Sequence, residues 1–255
     1  MKSPIKHPLD HGSCLSHLKT IVPKGSTVQS YLFFSGQLEF SLAESKRFVC
    51  AHTDRPLVYE FWSTMLSNPG AVHEIVTSKN FQTLKDEQIF YLLQERWPYY
   101  NTPDIRAALF FYLNRCSRIG NISSGEFNKH GITPAALSYL KRFKVENFYL
   151  KQAQEFNKTT SEEFANIADY LLFPMKTYSH NLFQYGQSLG CEESAIDHVS
   201  FFHKVSKIKN KWIVLYKKHQ MVFETYKNYN IQMVNKLSAR TDNKDACEEI
   251  IVTNF

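Results

Sequence analysis

The stretch Asp169–Tyr178, DYLLFPMKTY, reads as a short apolar β-strand that runs straight into Pro174, Met175 and Lys176. In an α/β protein the carboxyl end of a strand is where chemistry usually sits. The segments on either side place this strand in such a protein. Downstream, ESAIDHVSFFHKVSKIK is an amphipathic helix, KWIVLYK a strand, QMVFETYKNY a helix, IQMVNKL a strand and EEIIVTNF a closing strand. Upstream, TVQSYLFF and RFVCAHTD are strand-like runs, each followed by a turn and a helical segment. Alternation of strand and helix at both ends of the chain predicts one α/β layer with a doubly wound sheet.

Between these ends the pattern changes. DEQIFYLLQERW and DIRAALFFYLNR carry apolar residues at spacings of three and four, which predicts a helical block. CSRIGNISSGEFNKHGITP, rich in Gly, Ser and Asn, reads as a hairpin or ordered loop. The predicted organisation is therefore a sheet domain over 1–74 and 165–255, with a helical and hairpin insertion over 75–164.

The chain has 255 residues, enough for one domain with a sizeable insertion. Its 43% hydrophobic and 21% charged content is ordinary for a soluble globular protein, whereas 20 Phe and 14 Tyr are unusually many. That aromatic surface serves a core or base stacking. No apolar run approaches a membrane span and the N-terminus lacks a signal-peptide core, so no membrane partner and a cytoplasmic setting are expected. Five scattered cysteines with no C-x-x-C spacing read as reduced thiols, and no metal site is expected from them. A net charge of +6 permits a polyanionic partner without demanding one.

Several landmarks share one order. SPIKHP near the N-terminus, a strand ending in FFSG, IRAALFFYLNR followed closely by GEFN (Gly125–Asn128), and the closing EEIIVTNF together resemble the Dam-like adenine-specific DNA methyltransferases. The resemblance runs from about Ser3 to Phe255. It implies a Rossmann-like methyltransferase sheet with an inserted helical and hairpin target-recognition region. It also implies S-adenosylmethionine as methyl donor and double-stranded DNA with a flipped-out adenine as substrate.

Taken residue by residue, the resemblance also implies losses. Leu9, Asp10 and His11 stand where the family has Gly-Gly-Lys. Ser35, Gly36 and Gln37 span its glycine turn and keep only Gly36. His52 occupies the place of the acid that holds the ribose, with Asp54 two residues later. The Asp-Pro-Pro-Tyr motif, whose acid and aromatic hold the adenine, falls on Phe173-Pro174-Met175-Lys176 or, one residue on, Pro174-Met175-Lys176-Thr177. Neither register supplies the Asp that would accept from the adenine amino group, and a lysine brings donors and positive charge to a place meant for a cationic cofactor.

For LLFPMK the preferred reading is thus a core strand followed by a proline turn, and for FFSG an ordinary strand-to-helix turn. Neither a catalytic residue nor a bound cofactor is expected. The chain is read as a catalytically inactive homologue, a scaffold or regulator binding DNA or a protein partner such as an active methyltransferase. Arg115, Arg118, Asn121 and Lys129 are the candidate DNA contacts. The basic stretches LKRFK and HKVSKIKNK are more simply solvated faces. The competing expectation is an active adenine methyltransferase in which Asp169 or Asp54 takes over the acidic role and S-adenosylmethionine binds.

Overall fold

The protein is described here by a computed structural model, which covers residues 2–7, 11–84, 86–118, 120–122, 125–164, 168–176 and 196–255. Leu9, Asp10 and Thr177, named above at degenerate motif positions, lie outside the described residues, as does the side chain of Lys176.

Seven strands form one sheet: β1 (Thr27–Ser30), β2 (Phe48–Thr53), β3 (Phe148–Gln152), β4 (Tyr170–Lys176), β5 (Lys211–Lys217), β6 (Asn230–Asn235) and β7 (Cys247–Thr253). Their order is β3-β2-β1-β4-β5-β7-β6. The first five run parallel, and β7 runs antiparallel between β5 and β6. This is the Rossmann-like α/β sheet that the sequence led us to expect. β5 shows why a run such as Trp212–Tyr216 forms a central strand: all five residues are buried, as a strand covered on both faces requires.

The helices are α1 (Leu15–Ile21), α2 (Gln37–Glu44), α3 (Pro56–Ser67), α4 (Pro69–Thr77), α5 (Lys79–Gln82), α6 (Glu87–Arg96), α7 (Pro103–Cys116), α8 (Pro134–Lys141), α9 (Ser161–Phe164), α10 (His198–Val205) and α11 (Gln220–Thr225). Their starts follow local chemistry. α3, α4, α7 and α8 each begin with a proline in the first turn, where its missing N–H costs nothing. Asp86 and Asp197 cap α6 and α10 by accepting from Ile89 N (3.2 Å) and Ser200 N (2.9 Å) respectively.

α7 is the pillar of the helical block, with every residue from Ala107 to Asn114 buried. Its ring-rich face meets the sheet in one continuous core, where Phe110 stacks on Phe61 at 4.5 Å and packs against Phe34 at 6.4 Å. The insertion is thereby fastened to the loop that follows β1. Residue 75 falls inside α4, and Phe148–Gln152, read from sequence as insertion, pairs with β2 as the edge strand of the sheet. Only Leu150 of β3 is buried, and Phe148–Leu150 is too short an apolar run to announce a strand by itself.

Two further expectations shift. The first strand ends at Ser30 and not at Phe34, because Leu32 adopts a left-handed backbone conformation (φ 56°) that breaks the extended run. Asp169 sits at the amino-terminal start of β4, where its carboxylate accepts from Thr27 N at 2.8 Å and Thr27 Oγ1 at 2.9 Å. The seven-residue strand separates it by roughly 20 Å from the carboxyl edge, so it pins two strand starts together and takes no acidic role there.

Candidate functional site at the carboxyl edge of the sheet

In a sheet of this order the strands diverge to either side between β1 and β4, and ligands bind beyond the carboxyl ends of the strands at that point. Three segments meet there: the loop after β1 (Tyr31–Gly36), the end of β2 (His52–Asp54) and the end of β4 (Phe173–Lys176).

The loop does not stand away from its neighbours. Tyr31 N donates to Leu172 O of β4 and Phe33 N to His52 O of β2, both at 2.9 Å. These bonds hold Tyr31 across the divide. Its ring is stacked between His52 (centroids 4.7 Å, planes 17° apart) and Phe173 (5.1 Å, 11°). Phe164 closes the stack edge-on at 4.9 Å, and Phe156 packs against Phe164 and Phe173. The ends of β2, β1 and β4 are thus tied by one aromatic column, all of it buried.

Each side chain in the column is fixed further. His52 Nε2 shares a short hydrogen bond with Gln29 Oε1 and lies 3.6 Å from Cys50 Sγ. Burial first, and Lys151 second, hold the imidazole down to about 4, so it is neutral at physiological pH. The hydroxyl of Tyr31 is pushed up to about 12 by burial, with Cys50 and Glu163 adding to the effect. Asp54 accepts from Phe156 N at 3.1 Å, which anchors the turn after β3. Thr53 is buried and Asp54 is committed to that turn.

Gly36 begins α2 with φ 74°, and a Cβ there would lie 2.1 Å from the ring of Phe40. The glycine is required, but the space its missing side chain leaves is taken by an aromatic ring of the same chain. Ser35 is buried, and Gln37 Oε1 accepts from Ser3 N at 3.0 Å, drawing the N-terminal segment onto the start of α2. His11 is 1% exposed and lies against Glu249 of β7, its Nδ1 3.6 Å from Oε1.

Phe173 and Met175 belong to the sheet core. Pro174 has no N–H to give, and the pairing of β4 with β5 shifts register between Pro174 and Lys176. The shift is tolerated because β1 stopped at Ser30, opposite Leu172. The cavity that Pro174 lines with His11, Leu32, Phe34, Ser35, Gln37, Leu38 and Glu39 measures about 20 Å³. That is room for a water, whereas the open cavity on the other side of Gln37, lined by Lys2, Ser3, Gly12, Arg115 and Tyr139, measures about 350 Å³ and falls within the roughly 300–1,000 Å³ of organic ligand sites.

The resemblance places S-adenosylmethionine at these residues. Among the described residues, the place of its ribose acid holds a neutral histidine under a stacked tyrosine, and the glycine turn is backed by Phe40. The end of β4 offers a phenylalanine, a proline and a methionine. These strand-end residues do not fit the cofactor.

The insertion joins this edge through a clasp that the sequence did not reveal. Asn114, fully buried near the end of α7, accepts from Lys6 N (2.6 Å) and donates to Lys6 O (2.9 Å) and Gly120 O (2.8 Å). Lys6 Nζ then donates to the carbonyls of Arg115 (2.7 Å) and Ser117 (3.1 Å), capping the helix end. Lys6 and Asn114 both fall within the quoted motifs SPIK and LNR, which is the signal that could have paired them.

Of the candidate DNA contacts, Arg118 and Lys129 are exposed on the hairpin, which a bridge between Ser117 and Phe127 holds together. Arg118 pairs with Glu126 Oε2 at 3.2 Å, both side chains more than 70% exposed (76% and 73%). Arg115 is half-buried and donates through Nε to Gly131 O at 3.1 Å, which makes it a brace for the hairpin. Asn121 is half-buried on the same hairpin. The basic stretches also carry structural duties: Lys204 Nζ donates to Asn157 O at 2.5 Å, Lys211 lies over the rings of Tyr170 and Phe255, and Lys144 pairs with Glu146. Among the described residues no helix is long and apolar enough to cross a membrane.

No family model matches the chain, and no curated protein matches it. Among solved structures it is similar to a TehB-like SAM-dependent methyltransferase from Corynebacterium glutamicum, at 6% identity and TM-score 0.41, over 96% of this chain and 87% of that one. It is also similar to a predicted O-methyltransferase, Atu636, from Agrobacterium tumefaciens, at 8% identity and TM-score 0.37, over 94% of this chain and 78% of that one.

Proposed function

We propose that this chain has the methyltransferase fold without methyl transfer, and that it acts as a non-catalytic DNA-binding scaffold of the Dam-like kind. The observation that carries the proposal is the buried column His52–Tyr31–Phe173, which occupies the junction of three strand ends where such a sheet would hold its cofactor. A side-chain stack of this kind is core, and a ligand would have to displace it at a cost of several kcal/mol, about that of emptying a buried aromatic site.

DNA binding is assigned to the hairpin between Ser117 and Gly131, where Arg118 and Lys129 face solvent beside the braced Arg115 and Asn121. Phosphate contacts from these cations would bind duplexes without reading sequence. A protein partner such as an active methyltransferase would use the same fold as a platform.

Calorimetry with S-adenosylmethionine, followed by transfer of labelled methyl to adenine-containing duplex DNA, tests the first part. Saturable binding at micromolar concentration together with transfer would overturn it in favour of an active adenine methyltransferase. Fluorescence anisotropy with duplex DNA over a salt series tests the second. Binding that weakens steeply with salt supports phosphate contact, and no binding at low ionic strength removes DNA in favour of a protein partner.

A further inference from the structure

The second cluster of chemically capable groups lies where the N-terminal segment crosses β7. His11, Cys14 and Glu249 come from the two ends of the chain, and all three are at most 1% exposed. The ligand atoms they offer lie within 4.8 Å of one another. Cys14 Sγ is 3.1 Å from Glu249 Oε2, and His11 Nδ1 is 3.6 Å from Oε1. Lys217, the neighbour of Glu249 in the β5–β7 register, hydrogen-bonds Oε1 as well.

We infer that His11, Cys14 and Glu249 form a buried binding site for one divalent ion of the zinc class. Donors at zinc's usual ligand distances of about 2.0–2.3 Å stand about 3.3–3.8 Å apart at the corners of a tetrahedron. The Cys14–Glu249 spacing of 3.1 Å lies just under that range and no pair of ligand atoms is more than 4.8 Å apart, so small side-chain rotations bring three donors around one ion. One thiolate, one imidazole and one carboxylate make a donor set that selects zinc or cobalt over magnesium and calcium. The carboxylate uses the oxygen nearer Cys14 for the ion and leaves Oε1 to Lys217, the outer-shell partner such ligands usually have. On binding, the Cys14 thiol releases its proton to solvent and the new bond is sulfur to metal. Water completes the fourth position; His11 also lines the cavity of about 20 Å³ described above.

The positions of the ligands favour such a site. Glu249 is on a strand between two others, and Cys14 ends a one-turn 3₁₀ helix (Gly12–Cys14) that leads into α1. Burying three such groups beside a lysine is costly unless they are fully compensated, and an apolar contact would fasten the segment more cheaply. An ion there clips residues 235 positions apart in the chain and stabilises the folded state by mass action.

The full-length chain, stripped with a chelator, is titrated with cobalt(II) and then with zinc(II). The expected result is one cobalt per chain, with the thiolate-to-cobalt charge-transfer band and the strong visible bands of four-coordinate cobalt. Zinc abolishes both, and either metal raises the melting temperature. Cys14→Ser removes the charge-transfer band, His11→Ala weakens affinity more than tenfold, and Cys50→Ser leaves both unchanged. No saturable cobalt binding, binding without a thiolate band, or a band that survives Cys14→Ser would each overturn the site. Those outcomes leave a charge-compensated hydrogen-bond network in its place. Should Cys14→Ser fail to fold, zinc-edge X-ray absorption of the wild-type chain decides: a sulfur and an imidazole among the nearest scatterers support the site, and oxygen and nitrogen alone refute it.

Discussion

Lowering the pH from 7.5 to 4.5 should destabilise this protein through His52 before its carboxylates contribute. The folded imidazole titrates at about 4, against an ordinary value of 6.5 when the chain is unfolded. Above pH 6.5 both states are neutral there, and His52 contributes no pH dependence. As pH falls below 6.5 the unfolded chain takes up a proton that the folded chain refuses, so stability falls by up to about 1.4 kcal/mol per pH unit. The loss reaches about 2.5 kcal/mol at pH 4.5 and levels off as the folded pKa is passed. Carboxylates with depressed values, such as Glu249, lose their contribution only below the unfolded value of 4.5, which leaves the upper window to histidine. Urea unfolding at half-unit pH steps, for the wild type and for His52→Asn, isolates the effect, because asparagine can still bond Gln29 and does not titrate. The expected result is a shallower slope between pH 6.5 and 4.5 in the variant by about 1 kcal/mol per unit. Equal slopes, or an imidazole titrating near 6.5 by NMR, would mean that His52 meets water. The aromatic column would then not close the cleft, and the argument against cofactor binding would lose its main support.

Three other perturbations have definite expectations. Gly36→Ala places a methyl group inside the Phe40 ring at a backbone angle that L-residues avoid; it should cost about 2–4 kcal/mol by denaturant titration, with part regained in the double variant with Phe40→Ala. Asn114→Ala removes three hydrogen bonds between α7, Lys6 and Gly120 and strands buried backbone groups, for a loss of about 2–4 kcal/mol and faster proteolysis of the N-terminal segment. Arg118→Glu with Lys129→Glu should weaken duplex binding at least tenfold and flatten its salt dependence while the melting temperature stays within a degree or two; unchanged affinity would move the contact surface off the hairpin.

The sheet was legible because its inner strands announce themselves. Tyr170–Met175, Trp212–Tyr216 and Ile250–Val252 are apolar runs that only a covered sheet can bury, and each falls within a strand read from the sequence. The edge was not legible: β3 buries a single residue, so its membership depends on pairing with β2, which no local pattern encodes. The site divides the same way. That the residues the resemblance implies are absent could be read directly, but not how the residues present pack together. Tyr31, Phe164 and Phe156 attract no notice in a chain with 20 Phe and 14 Tyr, and only the topology sets them in one column with His52 and Phe173. The cluster of His11, Cys14 and Glu249 escaped for a related reason, since its members share no spacing and meet only when the two chain ends lie side by side.

The divergence between the two halves of the edge bears on what the fold now does. At the strand ends, His52, Tyr31 and Phe173 are invested in packing, and packing of that kind favours stability over an open cleft. At the insertion, polar side chains are instead kept and paired: the buried Asn114 and the half-buried Lys6 hold the hairpin's base against the N-terminal segment. A buried amide such as that of Asn114 is costly to retain where an apolar core would serve, and its usual return is a fixed geometry. Such a distribution fits a protein whose useful surface is the hairpin it holds in place. It leads to a separable outcome: Tyr31→Ala should open the cleft and cost about 3–5 kcal/mol of stability while leaving duplex affinity intact, whereas Lys6→Met should barely disturb the sheet and weaken duplex binding several-fold. If both variants lose affinity in proportion to their stability, the hairpin has no independence from the core and the DNA-binding proposal loses its structural basis.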